Sequence, residues 1–225
     1  MKPYLEEIAG EAVIIPAGEV DLEGTLNIPA QCKGIVLFAH GSGSSRFSPR
    51  NRFVANCLNE NDLGTLLMDL MSPDEEAVDL QTTRLRFDIA FLAERLLHAI
   101  RWLHQQLETR NLKVGLFGSS TGGGAALVAA AEEPSLVQTV VSRGGRPDLA
   151  AASLAVVMCP TLLIVGGNDT QVIELNRQAL NQLACEKQME VVPRASHLFE
   201  EPGALEKVAE LAAAWFRLQF SRKDR

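Results

Sequence analysis

The sequence predicts an α/β fold: a mostly parallel, doubly wound sheet flanked by helices, in a single domain spanning residues 1–225. Three observations carry that prediction. Short, continuous apolar runs recur along the chain, as expected of strands buried on both faces. They alternate with segments whose apolar residues repeat at the helical period. One apolar run stops abruptly at small residues, Gly118-Ser119-Ser120-Thr121-Gly122, before an alanine-rich stretch begins. With 47% hydrophobic and 22% charged residues in 225, the composition is that of an ordinary globular domain able to bury a full core. No repeat, low-complexity tract or linker interrupts it.

In chain order, residues 12–15 and 23–28 read as a leading pair of strands joined through a turn containing Gly18. Residues 34–39 form the first fully apolar strand, and a helix over 53–58 ends before the turn at 61–64. The next buried strand is 65–70, followed by an acidic loop over 72–79. Ile89, Leu92, Leu96, Ile100, Leu103 and Leu107 then step by 3, 4, 4, 3 and 4, one apolar stripe of a long helix packed on a sheet. Further strands are expected at 113–117, 139–141, 161–166 and 189–192, and a closing helix at 205–218 presents Val208, Leu211 and Trp215 inward. Trp102 and Trp215 are expected to serve packing, and Cys159 to be a core thiol.

Several functions are disfavoured at this stage. A formal charge of −7 argues against a nucleic-acid surface. No apolar run approaches the roughly 20 residues that span a bilayer, so no membrane association is expected. The first ten residues, with two early glutamates and no apolar core, do not resemble a secretory signal, so a cytoplasmic protein is expected. The four cysteines are scattered without a C-x-x-C pair, so neither a metal nor a redox cofactor is expected.

The glycine turn is where chemistry is expected, because open α/β sheets bind ligands beyond the carboxyl ends of their strands. Gly118-Ser119-Ser120-Thr121-Gly122 is a G-x-S-x-G between strand and helix, the context that exposes a strained nucleophilic serine. A phosphate loop fits worse. No lysine follows the glycines, and a dinucleotide fingerprint started at Gly122 meets Leu127 where its third glycine belongs.

An activated serine needs a base, and the chain has four histidines. His98 and His104 lie off the stripe of the long helix and are expected to be solvated. His40 ends a strand and is expected to shape the loop after it. His197 follows the last strand, where a base for Ser120 belongs. Asp169, directly after the 161–166 strand, is the expected orienting acid, with Asp148 as its rival. The oxyanion donors are expected to be the amides of Thr121 and of Ser42, with Gly43 the second choice for the latter.

At these residues the chain resembles the α/β-hydrolase superfamily, and within it the dienelactone-hydrolase-like branch. The segments "HGSGSS", "GSSTGG", "LLIVGGND" and "ASHLFEEPGAL" occur in the order of that family, and the likeness extends over about 12–218. It implies a sheet of about eight strands, no cofactor, and hydrolysis of a small ester, thioester or lactone through an acyl-enzyme on Ser120. Dienelactone hydrolases proper use cysteine as the nucleophile where this chain has Ser120, so a serine esterase or acyl-hydrolase is the reading that follows. A catalytically silent binding protein and an acyltransferase are the alternatives. The short stretch between 139–141 and Thr161 leaves no room for a large lid domain.

Arginines gather on the expected mouth loops: Arg46, Arg50 and Arg52, then Arg143 and Arg146. Arg143 and Arg46 are the candidates to hold an anionic substrate; solvation and pairing with residues 72–79, Glu200 or Glu201 is the competing reading.

Overall fold

The structure is a computed structural model that describes residues 10–222; the amino-terminal segment compared above with a secretory signal therefore lies almost wholly outside the described residues. Strands β1 (Glu11–Ala17) and β2 (Val20–Asn27) form an antiparallel hairpin, and Gly18 supplies the positive φ of 74° its turn requires. Then follow β3 (Ile35–Ala39), α1 (Pro49–Asn59), β4 (Gly64–Met68), α2 (Pro73–Thr82) and α3 (Ile89–Gln105). The second half contains β5 (Val114–Ser119), α4 (Thr121–Glu132), β6 (Val137–Arg143), β7 (Thr161–Gly166), α5 (Thr170–Gln182), β8 (Lys187–Val192) and α6 (Ala204–Ser221). Short 3-10 segments cover Leu85–Phe87 and Pro147–Val156.

The eight strands make one sheet in the order β1-β2-β4-β3-β5-β6-β7-β8. From β4 to β8 all pairings are parallel, and the hairpin adds antiparallel strands at one edge. The expected fold class is the observed one. Each residue of β3, β4, β5 and β7 is buried, which explains their unbroken apolar runs.

Alternation along the strands divides the core into two layers. Leu37, Leu66, Leu116, Val140 and Leu163 face α3, α4 and α5, whereas Phe38, Leu67, Phe117, Val141 and Ile164 face α1 and α6. Trp215 of α6 is buried and donates its indole N–H to Thr139 Oγ1 at 2.8 Å. Cys159 is buried, and desolvation pushes its thiol up to about 12, so it stays protonated.

Four expectations need correction. The residues 72–79 are no loop: Ser72 caps α2, accepting the Glu75 amide while Glu75 accepts the Ser72 amide in return. The helix escapes an apolar-period search because Asp79 is its only buried residue. The α3 stripe ends one turn early, since α3 stops at Gln105 and Leu107 is 78% exposed. Asp69 and Leu70 leave the strand that ends at Met68 and turn towards the mouth loops. His98 and His104 are half-buried rather than solvated, and His104 Nε2 lies 3.4 Å from the Leu136 carbonyl.

The closest backbone approach is where β5 passes into α4. A Cβ on Gly118 would stand 2.5 Å from the Gly122 oxygen and from the Gly123 Cα, and one on Gly122 would collide with the Ala39 carbonyl and lie 2.6 Å from that of His40. Those partners are backbone and cannot swing aside. Gly122→Ala should therefore lose about 1–3 kcal/mol or more in urea unfolding, whereas Gly18→Asn, with open space around it and a residue type tolerant of positive φ, should stay within about 1 kcal/mol. Equal stability of the two variants would refute this account of the crossing.

Candidate active site

Ser120 lies at the junction of β5 and α4 with φ 51° and ψ −121°, a conformation that non-glycine residues rarely adopt. Three backbone bonds impose it. Its N–H donates to the Arg143 carbonyl at 3.3 Å, and its carbonyl accepts from Gly123 and Arg146, each at 3.0 Å. The side chain is thereby lifted above the carboxyl end of the sheet, half-buried, at the start of α4 where helix N–H groups and the positive dipole end converge.

Asp169 follows β7 directly and lies at the start of α5, and its carboxylate oxygen is 2.6 Å from His197 Nδ1. The Asp169 side chain is 15% exposed and that of His197 40%, so the acid is enclosed and the imidazole reaches the surface. This contact places the proton of neutral His197 on Nδ1 and leaves Nε2 as the basic nitrogen. The loop that carries His197 is fixed by Glu201, which accepts the Ser196 amide at 2.9 Å, and by Asn168, which donates to the Arg194 carbonyl at 2.8 Å. It packs on Gly144, where a Cβ would meet the His197 carbonyl oxygen at 3.2 Å. Arg143, the neighbour of Gly144, binds the Ser120 amide, so the end of β6 joins the two halves of the site. Among the described residues Ser120 Oγ and His197 Nε2 do not form a hydrogen bond with each other; such contacts often tighten only once substrate is bound. Asp148 is already held by Arg146 through two bonds of 2.8 and 2.7 Å, which removes it as a partner for His197.

On the other flank, the loop after β3 packs against Ser120: a Cβ on Gly41 would come 3.1 Å from that of Ser120. His40 pins this loop. It is buried, its Nε2 accepts the Leu70 amide at 3.1 Å, and its Nδ1 donates to the Gly41 carbonyl at 3.0 Å. The Leu70 bond needs a neutral ring, because a protonated Nε2 cannot accept, and desolvation lowers the pKa, opposed by the Gly41 bond and by Asp69 and Glu76. The Ser42 amide donates to Thr121 Oγ1 at 3.0 Å. Behind Ser120, Ser119 Oγ donates to Asn51 Oδ1 at 3.0 Å and ties β5 to α1. No motif in the sequence announced Asn51, and although Asn168 and Glu201 lie inside quoted family segments, no sequence pattern showed which backbone groups they hold.

The arginines separate into paired and unpaired. Arg46 is clamped by both Asp69 and Glu23 and stacks 4.2 Å over Phe47, so its guanidinium braces the loop and is not free for a ligand. Arg50 pairs with Glu200 at 3.2 Å. Arg143 differs: it is 7% exposed, its Nε and Nη1 are buried without a hydrogen-bond partner among the described residues, and its guanidinium carbon lies 5.9 Å from the centroid of the Phe199 ring. Burial, and then the charge of Arg50, pull its pKa down to about 10.

An elbow serine, an acid–histidine pair and a loop beside the elbow, all at the carboxyl end of one eight-stranded sheet, define an enzyme of the α/β-hydrolase type. The chain belongs to the dienelactone hydrolase family, whose profile matches residues 69–220. A crystal structure of dienelactone hydrolase from Anabaena variabilis is 60% identical, with a TM-score of 0.92 over 93% of this chain and 97% of that one. A lidless serine hydrolase from Xanthomonas campestris, 19% identical, shares the fold with a TM-score of 0.76 over 98% of this chain and 99% of that one. Curated relatives from two strains of Mycobacterium tuberculosis are 54% identical over 206 residues, 92% of this chain but 46% of theirs, and are provisionally named phosphoribosyl transferases. The chain thus spans about half the length of those relatives. Among the described residues no helix is long and apolar enough to cross a membrane.

Because the folded state prefers neutral His40, its contribution to stability is complete above the ordinary imidazole value of about 6.5 and is lost as pH falls below it. Urea unfolding at pH 7.5, 6 and 5 should show a decline in wild type that is shallower in His40→Gln. An unchanged decline in the variant would assign the pH dependence to other groups.

Proposed function

We propose that the chain is a serine-dependent carboxylic ester hydrolase that cleaves a small ester, thioester or lactone through an acyl-enzyme on Ser120. The observation that carries this reading is the 2.6 Å contact between His197 Nδ1 and Asp169, at the same end of the sheet as the strained Ser120. Ser120 Oγ attacks the acyl carbon, His197 Nε2 takes the hydroxyl proton, and Asp169 stabilises the imidazolium. The proton then passes to the leaving group, and water repeats the sequence to release the acid and restore Ser120. Phosphoribosyl transfer, the activity in the name of the longer relatives, we assign to the part of those proteins that this chain does not span.

A second observation bears on the substrate. Arg143 is a buried cation beside the His197 loop with no counter-ion among the described residues, and burial of an unpaired charge is costly. It favours substrates bearing a carboxylate or phosphate over neutral esters. Arg46, already paired, has no part in this reading.

Fluorophosphonate treatment followed by intact mass should add one adduct to the wild type and none to Ser120→Ala or His197→Ala. Asp169→Asn should lower kcat by roughly 10²- to 10⁴-fold. A folded wild type that takes up no label would refute the serine mechanism and leave the silent binding protein as the better account. In an ester panel, Arg143→Ala should raise KM for acidic esters at least about tenfold, the order expected for loss of a charge-assisted hydrogen bond, and leave neutral ones alone. Equal effects on both classes would remove Arg143 from substrate recognition.

A further inference from the structure

We infer that the Thr121 hydroxyl, rather than the Ser42 amide, is the second hydrogen-bond donor to the oxyanion. The inference rests on the serine-hydrolase reading above and concerns how that site stabilises negative charge. The Ser42 amide was expected to point at the oxyanion, but its single hydrogen is directed to Thr121 Oγ1 at 3.0 Å. The Thr121 side chain is buried, and although its oxygen accepts from Ser42, its own proton meets no acceptor among the described residues. A buried hydroxyl with an unassigned proton is expected where a ligand atom will take it.

The placement of that hydroxyl suits the task. Thr121 directly follows the nucleophile and begins α4, so its N–H has no partner within the helix and is the first oxyanion donor. The hydroxyl belongs to the same residue and is polarised by accepting from an amide, which strengthens it as a donor. The loop holding that amide is rigid: His40 binds both Gly41 and the Leu70 amide, and the Arg46 amide donates to Asp69 at 2.7 Å. A donor held this way is oriented before charge develops. As the tetrahedral intermediate forms, Thr121 O–H donates to the negative oxygen while still accepting from Ser42. No proton is transferred in this contact.

The alternative is a side chain that rotates away and frees the Ser42 amide. Thr121→Val separates the two, because valine keeps the shape, removes the hydroxyl and releases the amide. With a neutral p-nitrophenyl ester, the hydroxyl donor predicts that Thr121→Val loses about 10²- to 10³-fold in kcat with little change in KM. Thr121→Ser, which retains the hydroxyl, should recover most of that loss. The inhibition constant of phenylboronic acid, whose serine adduct is tetrahedral, should rise in Thr121→Val in step with the fall in kcat/KM. A Thr121→Val enzyme as fast as wild type, or faster, would overturn the inference while leaving the serine mechanism standing. A loss expressed in KM alone, or one that serine does not recover, would make Thr121 a packing residue. Wild type that fluorophosphonate does not label overturns both readings, so the two failures are distinguishable.

Discussion

The tight passage from β5 into α4 is the constraint on which the rest depends. Gly118 and Gly122 bring a strand end and a helix start together with no space for a Cβ, and the intervening Ser120 is forced to positive φ. Since β5 lies between β3 and β6, the carboxyl ends of both neighbours meet the same crossing. Gly41 from one side nearly touches Ser120, and the Arg143 carbonyl from the other accepts its amide. The loop after β3 and the histidine loop are thus placed relative to the serine by the sheet itself.

Polar groups around the crossing fall into two classes. Most charges are neutralised locally: Arg46 by Asp69 and Glu23, Arg86 by the buried Asp79, Arg95 by Glu75, and Arg146 by Asp148. These pairs fasten loops and helices to one another. Arg95 joins two elements, reaching Glu75 of α2 and the Ala17 carbonyl at the end of β1. Arg143 stands apart, buried and without a carboxylate partner among the described residues, next to the loop that carries His197. A low-dielectric surrounding strengthens the field of such a charge, and the same surrounding makes it costly to keep.

The segment from α2 to α3 shows how a polar anchor replaces an apolar one. Asp79 is fully buried, yet its carboxylate accepts from the Leu85 and Arg86 amides and from Arg86 Nε at 2.8, 3.3 and 2.5 Å. That fastens α2 to the following turn while Val78, Leu80 and Phe87 stay exposed. Arg86, held in this way, reaches towards Gly43 in the loop after β3.

By itself the sequence determined the layered α/β architecture, because strands buried on both faces must be apolar throughout and their helices must be striped. It also determined which residues stand just past strand ends, since G-x-S-x-G, Asp169 and His197 each follow an apolar run. Strand limits were legible to within two residues for β5, β6 and β8. Tertiary structure alone decided the partners. Whether Arg46 is spent on Glu23 and Asp69 while Arg143 Nε and Nη1 find no partner among the described residues depends on two acids that each lie 23 positions from Arg46 in the chain. That α2 is a helix depended on a capping box and a buried aspartate, signals that carry no apolar period. That the Ser42 amide turns to Thr121, 79 residues away, depended on two loops meeting across a crossing only glycines permit. Periodicity records which face of an element is buried; it does not record what a polar group on another element will find when the faces close.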